Sequence, residues 1–334
     1  MRLSDLDFSY PEDLIALEPS RPTRVAFKAP QQAPIELDMV GLIEKFGEDD
    51  ILVINDTRVI PARVFTDDGL EILFLSSADA QTWEVLFPAR GLKAGESLTL
   101  PGGVQATLQS KGLPQVLKTS APLTSDYFQK HGELALPPYI QEQRKERHNR
   151  AQDRDWYQTA WAERPGSVAA PTASLHFQTE HLNALRERGV SLEKVTLHVG
   201  AGTFLPIRTD DLAAHVMHPE RVEISGVTAE KILRRQNRVW ALGTTVTRSL
   251  ESLASGLLTE TDFGYAGDTR LFIRPPYEYR AVDALLTNFH QPRTTLMALV
   301  AAIAGLENVH STYQWAIERR FKLFSYGDLS AWIK

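Results

Sequence analysis

Apolar runs that stop abruptly at polar residues organise this chain. Residues 51–65, ILVINDTRVIPARVF, begin as an apolar strand and turn into a segment carrying Asn55, Asp56, Thr57, Arg58 and Arg63. From 66 to about 120 the texture changes to brief alternating stretches, including LEILFL, TWEVLFP, ESLTLP and GVQATLQ, separated by DDG, SSADAQ, LKAGE and GG. Short strands joined by tight turns at this spacing predict a small antiparallel barrel. LPPYI (136–140) reads as a rigid exit from that block. In the following stretch, 141–154, Arg144, Lys145, Arg147, Arg150 and Arg154 outnumber Glu142, Glu146 and Asp153. A solvated helix or loop and a contact with RNA phosphates both account for such a segment.

After Trp156 the pattern becomes α/β. A helix is expected over 178–188 ended by Gly189, a strand over 190–200, a helix over 228–237 and a strand over 238–243. Residues 244–255 predict a helix stopped by Gly256, with Val246, Leu250 and Leu253 on its apolar side. Residues 292–305 start with a proline suited to a first helical turn and end in glycine, which predicts a buried helix. Strands alternating with such helices imply a parallel or mixed sheet covered by helices. The barrel-like block sits between two stretches of different texture, so it reads as an insertion. The expected architecture is a large discontinuous α/β domain (1–65 and 151–334) with an inserted small antiparallel β-barrel domain (66–150), the second large part carrying most of the site.

A chain of 334 residues is long enough for two modest cores, and 43% hydrophobic with 23% charged residues is ordinary for a globular protein. There is no cysteine, which excludes thiolate nucleophiles, disulfides and cysteine-based metal centres. The N-terminus has no sustained apolar stretch, and Leu296–Leu306, the longest apolar run at 11 residues, is far below the ~20 that span a bilayer. A cytoplasmic protein without membrane contact is expected. A net charge of −6 argues against indiscriminate nucleic-acid affinity but leaves a structured RNA partner open.

Six polar segments punctuate the second half: PTASLHF (171–177), HVGAGTF (198–204), GTTVTRSLES (243–252), VDALLTNFH (282–290), QPRTT (291–295) and LFSYGD (323–328). In VTLHVGAGTF, alternation sets Thr196 and His198 opposite Val195, Leu197 and Val199, after which Gly200 and Gly202 allow backbone to approach a ligand with the Thr203 hydroxyl beside it. Gly243-Thr244-Thr245 joins a strand to a helix, where free N–H groups can hold a carboxylate or ribose oxygen. Arg248 and Glu251, three apart on one helical face, fit either a surface pair or a substrate clamp. Asn288 and His290 precede a helix, and Ser325, Tyr326 and Asp328 follow one. His215 and His218, with His176, His198 and His290, lack metal-ligand spacing, so no metal is expected. No Gly-x-Ser-x-Gly elbow is present, which argues against a serine hydrolase.

The strings MRLSDLDFSYPEDLIALEP, INDTRVIPAR, PPYI, PGSVAAPTASLHF, LHVGAGTF, GTTVTRSLES, VDALLTNFHQPRTTLMALVAAIAG and FSYGD occur in order over nearly the whole chain. They resemble the S-adenosylmethionine:tRNA ribosyltransferase-isomerase family of queuosine biosynthesis. The resemblance implies S-adenosylmethionine as co-substrate, no metal, and tRNA bearing 7-aminomethyl-7-deazaguanine at the wobble position as partner. The ribosyl part is transferred and rearranged, adenine and methionine leave, and epoxyqueuosine-tRNA is formed. The sulfonium acidifies C5′ of the ribose, so a general base is needed: His176 or His198, with Asp283 or Asp328 as alternatives. Thr203 and the 243–245 turn would hold ribose or methionine groups, together with Gly200, Gly202, Asn288 and His290, while Glu251 would face the cationic substrate. Arg58, Arg63 and Arg248 fall to the tRNA side, and a monomer is the default expectation.

The chain departs from the family's usual pattern at Ala201, Ser174, Pro219, Pro276 and Gln291, and residues 20–24 (SRPTR) lack its early motif. Two other classes remain to be separated: a different S-adenosylmethionine-dependent enzyme such as a methyltransferase, which would leave adenine attached in the by-product, and a nonenzymatic RNA-binding protein, which would leave S-adenosylmethionine intact.

Overall fold

Alternation with both phases apolar builds the centre of the molecule. In the run 51–54, Ile51 and Val53 enter one core while Leu52 and Ile54 enter another, and Val239/Ala241 against Trp240/Leu242 repeat the division. Strands buried on both faces need helices on both sides, as in parallel sheets. The computed structural model describes residues 1–200, Gly202, Ile207 and 209–334.

The strands, in chain order, are β1 (Val25–Lys28), β2 (Ile35–Leu37), β3 (Ile51–Asn55), β4 (Thr57–Val59), β5 (Arg63–Phe65), β6 (Glu71–Asp79), β7 (Thr82–Leu86), β8 (Ser97–Leu100), β9 (Val104–Ser110), β10 (Gln115–Thr119) and β11 (Gly132–Glu133). They continue as β12 (Arg164–Ser167), β13 (Ser191–Leu197), β14 (Glu220–Ser225), β15 (Val239–Leu242), β16 (Thr259–Thr261), β17 (Gly264–Thr269), β18 (Ala284–Asn288) and β19 (Leu329–Ile333). A 10-stranded mixed sheet runs β16-β17-β14-β13-β3-β15-β18-β19-β1-β2, in which β13, β3, β15 and β18 are mutually parallel. A 7-stranded antiparallel sheet runs β11-β5-β6-β7-β10-β9-β8 over its own core of Val64, Phe74, Val85, Leu108 and Phe128. Among the described residues its end strands β11 and β8 are not paired with each other. Strand β5 belongs to this sheet, which therefore begins before residue 66.

The expected helices form as Thr179–Glu187, Gly226–Leu233, Thr244–Ala254 and Thr295–Ala304. The last begins later than Pro292 suggested. Thr294 caps it by accepting from Met297 N–H, so the proline lies in the turn before the helix rather than in its first turn. Pro138–Arg144 is also helical, where a rigid exit was expected, and Leu306–Glu318 is a helix the pattern did not reveal. The basic stretch resolves mainly into internal pairs. Arg144 is buried against Asp153 at 2.9 Å, Arg150 pairs with Glu146 at 2.7 Å, and Arg147 lies over the Phe65 ring. A solvated, self-paired segment thus accounts for most of these charges. No helix of the described residues is long and apolar enough to cross a membrane.

Candidate active site

The C-terminal ends of β3, β13, β15 and β18 share one edge of the large sheet, the usual place for a ligand in an open α/β fold. A cavity of about 680 Å³ opens there. Two helices begin at its wall: Gly243, Thr244 and Thr245 start one, and Thr294, Thr295 and Leu296 start the other. The first has no side-chain cap. Its leading N–H groups have no intrahelical acceptor, and with the helix dipole they favour negative charge or lone pairs. Gly243 takes φ +99°, a left-handed value that a side chain would oppose, which lets the chain turn from β15 into the helix. Asn55, at the end of β3, fixes this corner: its Oδ1 accepts from Leu197 N–H at 3.1 Å and its Nδ2 donates to the Leu197 carbonyl at 2.9 Å.

Arg248 lies one helical turn further along the wall, 7% exposed, and is ion-paired with Glu220. Its Nε donates to the Leu271 carbonyl at 3.2 Å, but Nη2 is buried and has no partner among the described residues. Such an orphan donor is costly unless something else accepts from it. Arg293, exposed at the same cavity, has φ +59°, unusual for a non-glycine residue, and its backbone N–H donates to the Leu6 carbonyl at 3.1 Å.

Three imidazoles line the cavity: His215, His218 and His290. His290 Nε2 shares a hydrogen bond with Thr287 Oγ1 at 2.8 Å, and its backbone N–H donates to the Tyr313 hydroxyl at 2.8 Å. Burial pushes its pKa down to about 3, so the ring is neutral near pH 7. Burial, then the neighbouring His218, also lowers the pKa of His215.

The groups expected to abstract a proton lie elsewhere. His176 does not line the cavity. Its Nδ1 meets Thr23 Oγ1 at 3.1 Å and its Nε2 meets Asn288 Nδ2 at 3.0 Å, so neither nitrogen is open to a substrate. Burial, then nearby Arg21, pushes its pKa down to about 4. His198, just after β13, is not part of the cavity lining, although Val199 is, and its Nδ1 is 2.7 Å from Thr57 Oγ1. Asp283 sits at the N-terminal end of β18, accepting from Val239 N–H at 2.9 Å, and Asp328 accepts from Lys322 N–H at 2.8 Å and Arg24 N–H at 3.2 Å. Both carboxylates hold backbone in place away from the cavity lining.

Glu251 likewise does not face the cavity. It is fully buried and accepts from the N–H groups of Arg280, Ala281 and Val282 and from the Tyr277 hydroxyl, which together satisfy its charge and pin that loop. Arg63, expected on the tRNA side, is 2% exposed and donates to Glu133 at 2.8 Å, so it is inside the protein. Arg58 is exposed and donates to the Ala162 carbonyl at 2.8 Å. Of the remaining expected residues, Gly202, Gly243, Thr244, Thr245, Asn288, His290 and Arg248 line the cavity, Gly200 borders it through an N–H donated to Glu220 at 3.3 Å, and Thr203 lies outside the described residues.

Sequence reasoning did not single out Thr172, Glu220 and Arg293, although PTASLHF and QPRTT contain the first and last. Among the described residues no group of three His, Asp or Glu side chains converges on a metal position.

The sequence matches the family described as "Queuosine biosynthesis protein" over residues 3–331. It is 42% identical to the S-adenosylmethionine:tRNA ribosyltransferase-isomerase of Dinoroseobacter shibae, covering 99% of this chain and 98% of that protein. The protein of the same name in Parvibaculum lavamentivorans is 40% identical, over 98% of each. The crystal structure of the S-adenosylmethionine tRNA ribosyltransferase from Thermotoga maritima superposes with a TM-score of 0.55 at 30% identity, covering 98% of this chain and 99% of that one. A continuous match of this extent leaves no separate portion of the chain to be assigned elsewhere, and the chain belongs to the queuosine biosynthesis protein family.

Proposed function

We propose that this protein is an S-adenosylmethionine:tRNA ribosyltransferase-isomerase acting on tRNA that carries 7-aminomethyl-7-deazaguanine at the wobble position. The observation that carries the reading is the cavity, where a buried Arg248 with an unpartnered Nη2 and two helix N-termini meet at the C-terminal edge of the sheet. These are donors awaiting lone pairs, and S-adenosylmethionine offers a methionine carboxylate and ribose oxygens. Arg248 would hold the carboxylate, which moves it from the tRNA side to the S-adenosylmethionine side. The Gly243–Thr245 turn would hold ribose, and exposed Arg293 and Arg58 would meet the tRNA.

The sulfonium acidifies the C5′ hydrogen, and His290 is the group assigned to take that proton, since it lines the cavity and its Nδ1 has no hydrogen-bond partner among the described residues. Elimination from the resulting carbanion breaks the C4′–O4′ bond, and the freed oxygen forms a carbonyl at C1′ as adenine leaves. Attack by the tRNA aminomethyl nitrogen and closure of the new ring with loss of methionine give epoxyqueuosine. Holding two large substrates in register supplies much of the acceleration, since orientation alone is worth ~7–11 kcal/mol in favourable cases. The residues from 63 to 150 form, on this reading, an inserted barrel-like domain, and the protein works as a cytoplasmic monomer.

The test incubates the protein with S-adenosylmethionine and the modified tRNA and quantifies adenine, methionine and nucleoside. Equal amounts of adenine and methionine with epoxyqueuosine in the tRNA are expected. Adenine retained in an S-adenosyl by-product would instead indicate a methyltransferase. Arg58→Ala should weaken tRNA binding several-fold at fixed salt without changing S-adenosylmethionine binding; equal tRNA affinity would remove Arg58 from that surface.

A further inference from the structure

One chain of hydrogen bonds beside the cavity has its direction fixed by a group outside it. Asn288 Nδ2 lies 3.5 Å from the Ser325 carbonyl and 3.4 Å from the Gly327 carbonyl. Carbonyls only accept, so the amide nitrogen faces them and Oδ1 faces Thr172. The nitrogen also faces His176 Nε2 at 3.0 Å, which must then be the unprotonated ring nitrogen and accept. His176 therefore carries its proton on Nδ1 and donates to Thr23 Oγ1 at 3.1 Å. The Thr23 hydroxyl passes its own proton on toward the Ser20 carbonyl at 3.5 Å. At the other end, Thr172 must donate its hydroxyl proton to Asn288 Oδ1, 2.7 Å away.

The consequence falls on the cavity. Thr172 lines it, and its only hydrogen-bond partner among the described residues is Asn288. With its proton committed inward, Thr172 Oγ1 offers only lone pairs to a ligand. Directly beside it is a set of donors. Ala173 packs against the turn at Gly243, where an added Cβ would come within 3.9 Å of Ala173 Cβ, and the uncapped helix start at Thr244 and Thr245 follows. An acceptor next to donors suits a group that both donates and accepts. A carboxylate only accepts and an ammonium only donates, but a hydroxyl does both.

We propose that Thr172 is a substrate-binding residue that accepts a hydrogen bond from a ribose hydroxyl of S-adenosylmethionine, and that His176 and Asn288 are positioning residues that fix its polarity. The assignment rests on the S-adenosylmethionine reading of the cavity. It gives the His176 imidazole a task without proton abstraction, and burial that holds the ring neutral keeps the chain running one way.

The direct test is a comparison of Thr172→Val, which keeps the shape and removes the hydroxyl, with Thr172→Ser, which keeps the hydroxyl. Thr172→Val should lower kcat/KM for S-adenosylmethionine by roughly tenfold while leaving the KM for tRNA unchanged, and Thr172→Ser should recover most of the loss. Against 2′-deoxy or 3′-deoxy S-adenosylmethionine, whichever lacks the bound hydroxyl, the valine penalty should vanish. A penalty that persists with both deoxy compounds, falls on tRNA instead, or is absent with S-adenosylmethionine overturns the assignment. Independently of activity, nitrogen-15 NMR of the labelled protein should find His176 neutral with its proton on Nδ1. The opposite tautomer reverses the chain and removes the argument. If the wild-type protein turns over no S-adenosylmethionine, the functional reading itself fails, whereas normal wild-type turnover with an indifferent Thr172→Val variant defeats only this inference.

Discussion

Two hollows near the end of β13 differ in how far their polar groups satisfy one another. One, of about 230 Å³, is bounded by Asp56, Glu163, Arg164, Lys194, Thr196 and Glu223. Arg164 reaches Glu223 at 2.9 Å, Lys194 reaches Glu163 at 2.8 Å, and Thr196 donates to Asp56 at 2.6 Å. The cavity at the sheet's C-terminal edge has fewer charges but leaves Arg248 Nη2, the uncapped helix start at Thr244 and a threonine lone pair unmatched among the described residues. Charge density alone would favour the first as a site. Unmet hydrogen-bonding capacity favours the second, because a buried donor without an acceptor costs stability that an acceptor entering the cavity returns.

The largest effect expected from breaking the cavity side is at His290. His290→Asn keeps a polar group of lesser reach and removes the imidazole. A single-turnover rate reduced by about 10²–10⁴ is expected if the ring takes the C5′ proton, with S-adenosylmethionine and tRNA still bound. An unchanged rate would pass the role to His215 or His218.

Arg248→Gln should come next. A charge-assisted hydrogen bond to a carboxylate is worth about 1.5–3 kcal/mol, so S-adenosylmethionine binding should weaken by about 10–100-fold. The substitution also strands Glu220, itself 6% exposed, and should lower Tm. Pairing it with Glu220→Gln should restore much of the stability but none of the affinity. Recovery of both would make the pair purely structural.

The same contrast shows what the amino-acid pattern could and could not disclose. Strands β3, β13 and β15 were legible, β3 and β15 because Ile51–Ile54 and Val239–Leu242 are apolar in both phases, whereas β18 was read only as a polar segment; Gly243 and Asn288 do line one cavity, with Asn55 reaching Thr245 beside it. Which polar side chain turns inward was not legible. His176 is spoken for by Thr23 and Asn288, which come from distant parts of the chain, and Glu251 is hydrogen-bonded by a loop at 280–282. Such partners are set by tertiary packing and leave no trace in local spacing. Pro292 misled for the opposite reason: Thr294 offered a better cap two residues later, and local capping chemistry decided the helix start.

Acidification separates the two regions in stability. His176 and His290 are buried neutral, with pKa values pushed down to about 4 and about 3, against ~6.5 in an unfolded chain. The unfolded state therefore binds more protons as pH falls below ~6.5, so these groups contribute stability that is fully present above that value and lost progressively toward their folded values. Tm should fall between pH 6.5 and 5, above the range where most carboxylates titrate. His176→Gln should make the fall shallower, and an unaltered slope would show that the ring titrates freely. His198 lies beside the charged hollow, where Glu223 and Asp56 oppose the effect of burial, and should contribute less.

The smallest effect is predicted on the charged face, and it bears most directly on the contrast between the hollows. Arg164 is 40% exposed and divides its interaction between Glu223 at 2.9 Å and Asp56 at 3.9 Å. Solvent screens such a pair, and exposed ion pairs of this kind are typically worth about 0–1 kcal/mol. Removing the guanidinium leaves the Glu223 side chain, 35% exposed, to water, while buried Asp56, already 3.9 Å from Arg164, keeps the hydrogen bond from Thr196. Arg164→Ala should therefore change Tm by a few degrees at most and kcat/KM for either substrate by less than about threefold. A tenfold loss confined to tRNA would mean that the charged hollow contacts RNA in spite of its internal pairing, and unmet hydrogen-bonding capacity would then be only one of two ways this protein marks a binding surface.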